Sequence, residues 1–213
     1  MSYPENLSLY ALLVFGIIIV PGMDMLYVMT NGLTGGRARA LAATAGVMAG
    51  GVVHTIWGAL SVGVILSLSP LLLQIMLFVG AGYLAWIGVT LIRSSITIDT
   101  PLGRRGGPVR SNLTAFRQGA VSCLINPKAY AFIFTVFPQF IKPVYGPVWM
   151  QGLAMGTITL QSQFAVYGSL GMIACAGRGQ MLTKPGVTIR LGRAAGWLFV
   201  GIALLTAIEG AMR

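Results

Sequence analysis

Long apolar stretches alternate with short polar breaks along the whole chain. Windows of about 19 residues, the usual length for detecting membrane-spanning helices, give six such stretches. They lie at Leu7–Thr30, Leu41–Leu68, Pro70–Ile92, Gln118–Ile141, Pro147–Ala174 and Leu191–Ala211. Because a helix needs about 20 apolar residues to cross a bilayer, the pattern predicts an all-α integral membrane protein with about six transmembrane helices.

Composition points the same way. Hydrophobic residues make up 56% of the chain and charged residues 8%, with a mean hydropathy of +0.83, whereas a soluble domain has about 25% charged residues. No Asp, Glu, Lys or Arg lies between Arg39 and Arg93, or between Lys142 and Arg178. A soluble fold of this size could not bury so much apolar surface, so the lipid bilayer is the expected surroundings.

The basic residues indicate how the helices are oriented. The formal net charge is +10, and the loops after the first, third and fifth predicted helices carry 2, 5 and 4 Lys or Arg residues, against 2 on the other side. Cytoplasmic loops hold such an excess in membrane proteins. We therefore predict cytoplasmic basic loops and outward termini in an inner (plasma) membrane, and we do not expect nucleic-acid binding.

The two halves of the chain share a pattern. A single transmembrane domain is expected, with a first repeat at about 7–92, a Gly- and Pro-rich cytoplasmic loop at 93–117 and a second repeat at about 118–211. Each half has a proline in its first helix and glycines 25 and 29 residues later: Pro21, Gly46 and Gly50, then Pro127, Gly152 and Gly156. Three helices per half would give two inverted repeats, as in many secondary transporters, although chance could also align glycines in a glycine-rich chain.

Two charged residues fall inside predicted spans. Asp24 follows Pro21 and Gly22 in the first helix, and Lys128 follows Asn126 and Pro127 in the fourth. Charges retained in a membrane usually face the bundle interior and serve an ion path or a ligand. Asp24 could instead pair with Lys128 or satisfy amides of the broken helix, and the lysine could extend to the interface. Asn126 could cap the backbone released at the proline.

Three neutral side chains are further candidates. His54, the only histidine, could carry a coupling proton or hydrogen-bond a neighbouring helix. Gln161 and Gln163 belong to a polar run in the fifth helix and could line a cavity or only join helices. The resulting candidate site comprises Pro21, Gly22, Asp24, His54, Asn126, Pro127, Lys128, Gln161 and Gln163.

The two cysteines, Cys123 and Cys175, have no C-x-x-C spacing that would suggest a redox or metal site. No metal site and no enzymatic activity are expected. A membrane-embedded thiol oxidoreductase is nevertheless one alternative, and a channel or exporter for another small solute is a second.

Several motifs resemble those of the LysE/RhtB family of amino-acid exporters, across nearly the whole chain. The matching segments are PGMDMLYV (Pro21–Val28), GGRARALAATAGVMAGGVVH (Gly35–His54), GAGYLAWIGVTLIR (Gly80–Arg93) and FRQGAVSCLINPKAYAFIFTVFPQF (Phe116–Phe140). The resemblance implies a secondary exporter of amino acids or close derivatives, of the homoserine, threonine, leucine or lysine type, driven by the proton motive force through proton-coupled antiport and without a bound cofactor.

The sequence departs from the family pattern at two places. Met23 stands where a second proline is common, and Gln161 or Gln163 replaces an acidic residue common among relatives. The second departure bears on the coupling ion and on the charge of the substrate. A homodimer formed through outer G-x-x-x-G faces is left open.

Overall fold

A computed structural model describes residues 1–68, 70–93 and 111–176, with scattered residues between 190 and 211. Helices account for its regular structure, and no strand occurs in these ranges. The α-helices are α1 (Tyr3–Ile19), α2 (Met23–Leu68), α3 (Pro70–Arg93), α4 (Asn112–Leu124), α5 (Pro127–Ala131), α6 (Phe137–Phe140), α7 (Val148–Gln163) and α8 (Ser169–Cys175). Two π-helical turns, Phe132–Val136 and Phe164–Gly168, join α5 to α6 and α7 to α8, and a 3-10 turn covers Pro143–Tyr145.

The first predicted span is interrupted at Pro21. Helix α1 ends at Ile19, Val20 is extended, and α2 begins at Met23. Proline cannot supply a backbone N–H to the helical ladder, which accounts for a break here. Gly36 interrupts α2 with a φ of 74°, a value that glycine adopts without the clash a Cβ would cause. In the predicted six-helix arrangement, the part of α2 before Gly36 belongs to the first span and the part after it to the second.

The fourth predicted span is also broken. Asn126 separates α4 from α5, and the segments Asn112–Leu124 and Pro127–Phe140 meet at a bend of 50°. Pro127 occupies the first turn of α5, where its missing N–H costs nothing because that donor has no helical partner. Both prolines thus lie at breaks, as predicted. The segment predicted as the fifth span continues from α7 through its π-helical turn into α8.

Closely packed glycines hold α2 against α4. A Cβ placed on Gly50 would lie 2.6 Å from Cys123 Cβ, and one on Gly46 would overlap the Phe116 carbonyl. From the other side, a Cβ on Gly119 would lie 2.6 Å from the Ala43 carbonyl oxygen. Only glycine allows backbones to approach this closely.

The second glycine pair, in α7, packs on α2 of the same chain. A Cβ on Gly152 would lie 2.9 Å from Ala59 Cβ, and one on Gly156 would lie 2.9 Å from Thr55 Cγ2. Both predicted G-x-x-x-G faces are therefore used inside one chain. The homodimer stays a prediction, and it would need a different surface.

The distribution of polar and apolar side chains is that of a protein in hydrocarbon. Large apolar side chains such as Leu12, Trp57 and Val79 are exposed, while Asp24 and Gln151 are buried. The fold is consistent with an integral membrane protein.

The number of spans stays partly a prediction. In the described ranges, Met23–Val64 is long and apolar enough to cross a membrane, and the bent pair Asn112–Leu124 with Pro127–Phe140 adds a second. Tyr3–Ile19 and Phe78–Thr90 are shorter apolar helices. The break at Pro21 shortens α1, and most of the predicted loop 93–117 and much of the predicted sixth helix 191–211 lie outside the described residues. The six-helix inverted repeat and the repeat boundaries remain predictions.

Candidate functional site

A small cavity lies beside the two helix breaks. Its volume is about 50 Å³, which is room for about three to five water molecules. One wall is apolar and includes Val14, Ile17, Ile18, Phe132 and Ile133. The polar lining includes Asp24, His54, Thr55, Asn126, Lys128, Thr159, Gln163 and Tyr167. The cavity thus brings together one carboxylate, one ammonium and several neutral polar groups.

Asp24 lies in the first turn of α2, directly after the break, and is 3% exposed. Its Oδ1 accepts a hydrogen bond from Ser122 Oγ at 3.1 Å, and its Oδ2 accepts one from Asn126 Nδ2 at 2.8 Å. Both donors belong to the fourth span. A carboxylate has about four acceptor positions, so the oxygens retain capacity for a further donor.

Lys128 extends toward the other end of the first break. Its Nζ donates to the Val20 carbonyl at 3.1 Å and passes close to Gly22, where a Cβ would lie 3.3 Å from the ammonium. Val20 is the C-terminal cap of α1, and cations are favoured at the C-terminal end of a helix. Lys128 therefore caps α1.

The sequence left open whether Asp24 and Lys128 pair directly. In the described residues they form no ion pair, and Asn126 lies between them instead. Its Nδ2 donates to Asp24, while its Oδ1 accepts the backbone N–H of Lys128 at 3.0 Å. Asn126 is thus the cap of α5 that the sequence predicted, and it also links the two broken helices.

His54 lies in the cavity wall and is buried. Its Nε2 is 3.1 Å from the Cys123 carbonyl, and because a carbonyl only accepts, the proton on this nitrogen is assigned from that contact. The ring also meets Tyr130 edge-on at 4.9 Å. The structure thus contains the hydrogen bond to a neighbouring helix that was one of the two roles considered for His54. The imidazole ring also lines the cavity.

The two glutamines of α7 have different surroundings. Gln163 is buried and lines the cavity, whereas Gln161 is exposed on the outside of the helix. Gln161 is therefore not part of this cavity. Of the prolines, Pro21 is half-buried and Pro127 is exposed, so they shape the breaks and do not line the cavity.

Sequence reasoning missed several groups. Ser122 donates to Asp24, Gly51 and Tyr167 line the cavity, and Tyr10 shares a hydrogen bond of 2.7 Å with Thr159. Ser122 stands four residues before Asn126 in sequence, a helical spacing that could have drawn attention to it. No local signal distinguishes Gly51 or Tyr10 from their neighbours.

The cysteines are free thiols. Cys123 packs against Gly50 and lines the cavity, while Cys175 packs against Gly32. In the described part of the chain, no group of three or more His, Cys, Asp or Glu side chains could hold a metal ion.

Comparison with known proteins identifies the family. The model of the LysE type translocators matches residues 15–210. The chain belongs to this family. The resemblance seen in its motifs is thereby confirmed, and it places the chain among membrane translocators.

Relatives in the family match nearly end to end. The chain is 29% identical to a homoserine/homoserine lactone efflux protein of Salmonella typhimurium, over 88% of each chain. It is also 29% identical to a leucine efflux protein of Enterobacter sp., over 93% of each. A membrane protein of Vibrio cholerae is 27% identical over 89% of this chain and 90% of its own. No solved structure matches the chain.

Proposed function

We propose that this translocator exports small amino acids or close derivatives across a bacterial inner membrane, driven by the proton motive force. The names of two relatives, which are efflux proteins for homoserine or homoserine lactone and for leucine, support this class of solute. Lysine is a less suitable substrate, because Asp24 is the one carboxylate in the cavity lining and a second positive charge would lack a partner.

One observation carries the proposal. Asp24 and Lys128 stand on different broken helices, line the same cavity and do not neutralise each other by direct contact. A carboxylate and an ammonium that line one cavity and bond different groups complement the two charges of an amino-acid zwitterion. Asp24 binds the substrate ammonium in this scheme and Lys128 binds its carboxylate.

The contacts of Lys128 suggest how binding begins. The ammonium donates to the Val20 carbonyl, and Gly22 leaves space beside it because it has no side chain. Lys128 can therefore exchange the carbonyl for a substrate carboxylate by turning within this space. The charged acceptor gives the stronger hydrogen bond.

Transport requires the cavity to change. The cavity is small, about 50 Å³, so we expect the broken helices to separate when a complete amino acid enters. The predicted inverted repeats and outward termini suit alternating access, in which one half moves against the other around a fixed site. Asp24 or His54 is the candidate carrier of the exchanged proton.

Efflux from preloaded cells tests the proposal. Cells expressing the chain would be loaded with radiolabelled threonine, homoserine, leucine or lysine, and solute loss would be followed with and without a protonophore. Faster loss of one or more neutral amino acids, abolished by the protonophore, is expected. Unchanged loss of all four, with the protein shown in the membrane, would contradict amino-acid export, while loss that ignores the protonophore and does not saturate would indicate a channel.

A further inference from the structure

Gln163 has a buried side-chain oxygen that lacks a hydrogen-bond partner. The residue is 6% exposed, and in the described structure its Oε1 is buried without a hydrogen bond. Buried polar atoms in folded proteins almost always have a partner, and an exception calls for an explanation. Gln163 lines the cavity, so a bound solute could supply the missing bond.

Gly51 provides the space in which this amide lies. A Cβ placed on Gly51 would be 2.6 Å from Gln163 Oε1 and 2.9 Å from Nε2. Any larger residue would displace the amide. Gly51 therefore differs from Gly46 and Gly50, which admit the neighbouring helix α4, and it acts as a positioning residue for Gln163.

The backbone at Gln163 is also unusual. Helix α7 ends at this residue, and the π-helical turn Phe164–Gly168 follows at once. Such wide turns are rare in α-helices and occur frequently at functional sites. Tyr167 lies in this turn and lines the cavity with Gln163.

Four other neutral polar groups of the lining have hydrogen-bond partners, namely Thr55, Thr159, His54 and Asn126. Thr159 shares a hydrogen bond with Tyr10 and donates to the Met155 carbonyl, and His54 bonds the Cys123 carbonyl. Asp24 and Lys128 match the two charges of a zwitterion. The unpaired oxygen of Gln163 is therefore available to a third, uncharged group of the substrate. An amide both donates and accepts hydrogen bonds, so it can bind a hydroxyl whichever way its O and N atoms are assigned.

We infer that Gln163, positioned by Gly51, binds a side-chain hydroxyl of the substrate, so that the cavity selects hydroxylated small amino acids over aliphatic ones of the same length. This inference rests on the proposed export of amino acids. A site built to hydrogen-bond a hydroxyl rejects the analogue without it, because the buried polar group is then left unpaired.

Homoserine and norvaline form a suitable pair of probes, since they differ by a hydroxyl in place of a methyl group. Purified protein in liposomes would be assayed for KM and maximal rate with each. We expect wild-type protein to prefer homoserine at least about tenfold in rate over KM. Gln163→Met should bring the ratio close to one, chiefly by raising the KM for homoserine. Gln161→Met, a matched change on the exposed face of the same helix, should keep the wild-type ratio.

Three outcomes would overturn the inference. Equal transport of both solutes by wild-type protein, or an unchanged ratio in Gln163→Met, would show that Gln163 does not read a hydroxyl. An equal loss of both solutes in Gln163→Met would assign the amide to a group that they share, such as the ammonium. In each of these cases, transport of some amino acid by the wild-type protein leaves the proposed export function intact. A wild-type protein that transports no amino acid would refute both the export function and the role of Gln163.

Discussion

The side-chain amide of Asn126 donates a 2.8 Å hydrogen bond to Oδ2 of Asp24. The two residues are far apart in sequence and stand beside the breaks of two different helices. This bond, with the second one from Ser122, holds a buried carboxylate in place. The link between the two broken helices is therefore made by polar side chains.

Replacing Asp24 by Asn tests its charge. Asn keeps the size of the side chain and one oxygen acceptor, so the fold should persist, but it cannot pair with a substrate ammonium. We expect export to fall to background in Asp24→Asn cells while the protein level in the membrane is unchanged, measured by efflux and immunoblotting. Ser122→Ala removes one hydrogen bond to Asp24 and keeps the charge, so it should retain export. Intact efflux in Asp24→Asn would exclude the proposed role.

Lys128 is expected to recognise the substrate carboxylate. If so, wild-type protein should discriminate against the amine formed by removing that carboxyl group, and Lys128→Gln should lose both transport of the amino acid and this discrimination. Competition by the amine against labelled amino acid in liposomes measures the effect. A variant that still transports the amino acid and still rejects the amine would show that Lys128 only caps α1.

Gly46 is expected to be a packing residue. A Cβ there would overlap the Phe116 carbonyl, and overpacking typically costs about 1–3 kcal/mol. Gly46→Ala should therefore lower the Tm of the purified protein in detergent. Gly82→Ala is the matched control, because a Cβ on Gly82 meets nothing within 4 Å. Equal Tm values for the two variants would contradict the close packing of α2 on α4.

Cys123 distinguishes export from thiol chemistry. It lines the cavity as a free thiol, and serine is close to it in size. We expect Cys123→Ser to retain export, with Cys175→Ser as the control outside the cavity. If Cys123→Ser abolishes activity and the protein remains folded, the membrane thiol oxidoreductase becomes the better hypothesis.

Local properties of the sequence determined much of this protein. Apolar length predicted helices, Pro21 and Pro127 predicted where two of them break, and Asn126 predicted a helix cap. Asp24 and Lys128 were found because a charge in an apolar segment is costly wherever the segment folds. Each of these inferences depends on neighbours within a few turns of helix.

Only the tertiary structure decided which groups meet. It linked Asn126 to both Asp24 and the backbone of Lys128, and it turned Gln163 inward and Gln161 outward. It also packed the first glycine pair on α4 and the second on α2. These outcomes depend on the rotation of each helix about its axis and on the bend at its break. A helix with apolar residues on all sides carries no amphipathic pattern to set that rotation, so packing between distant segments sets it instead.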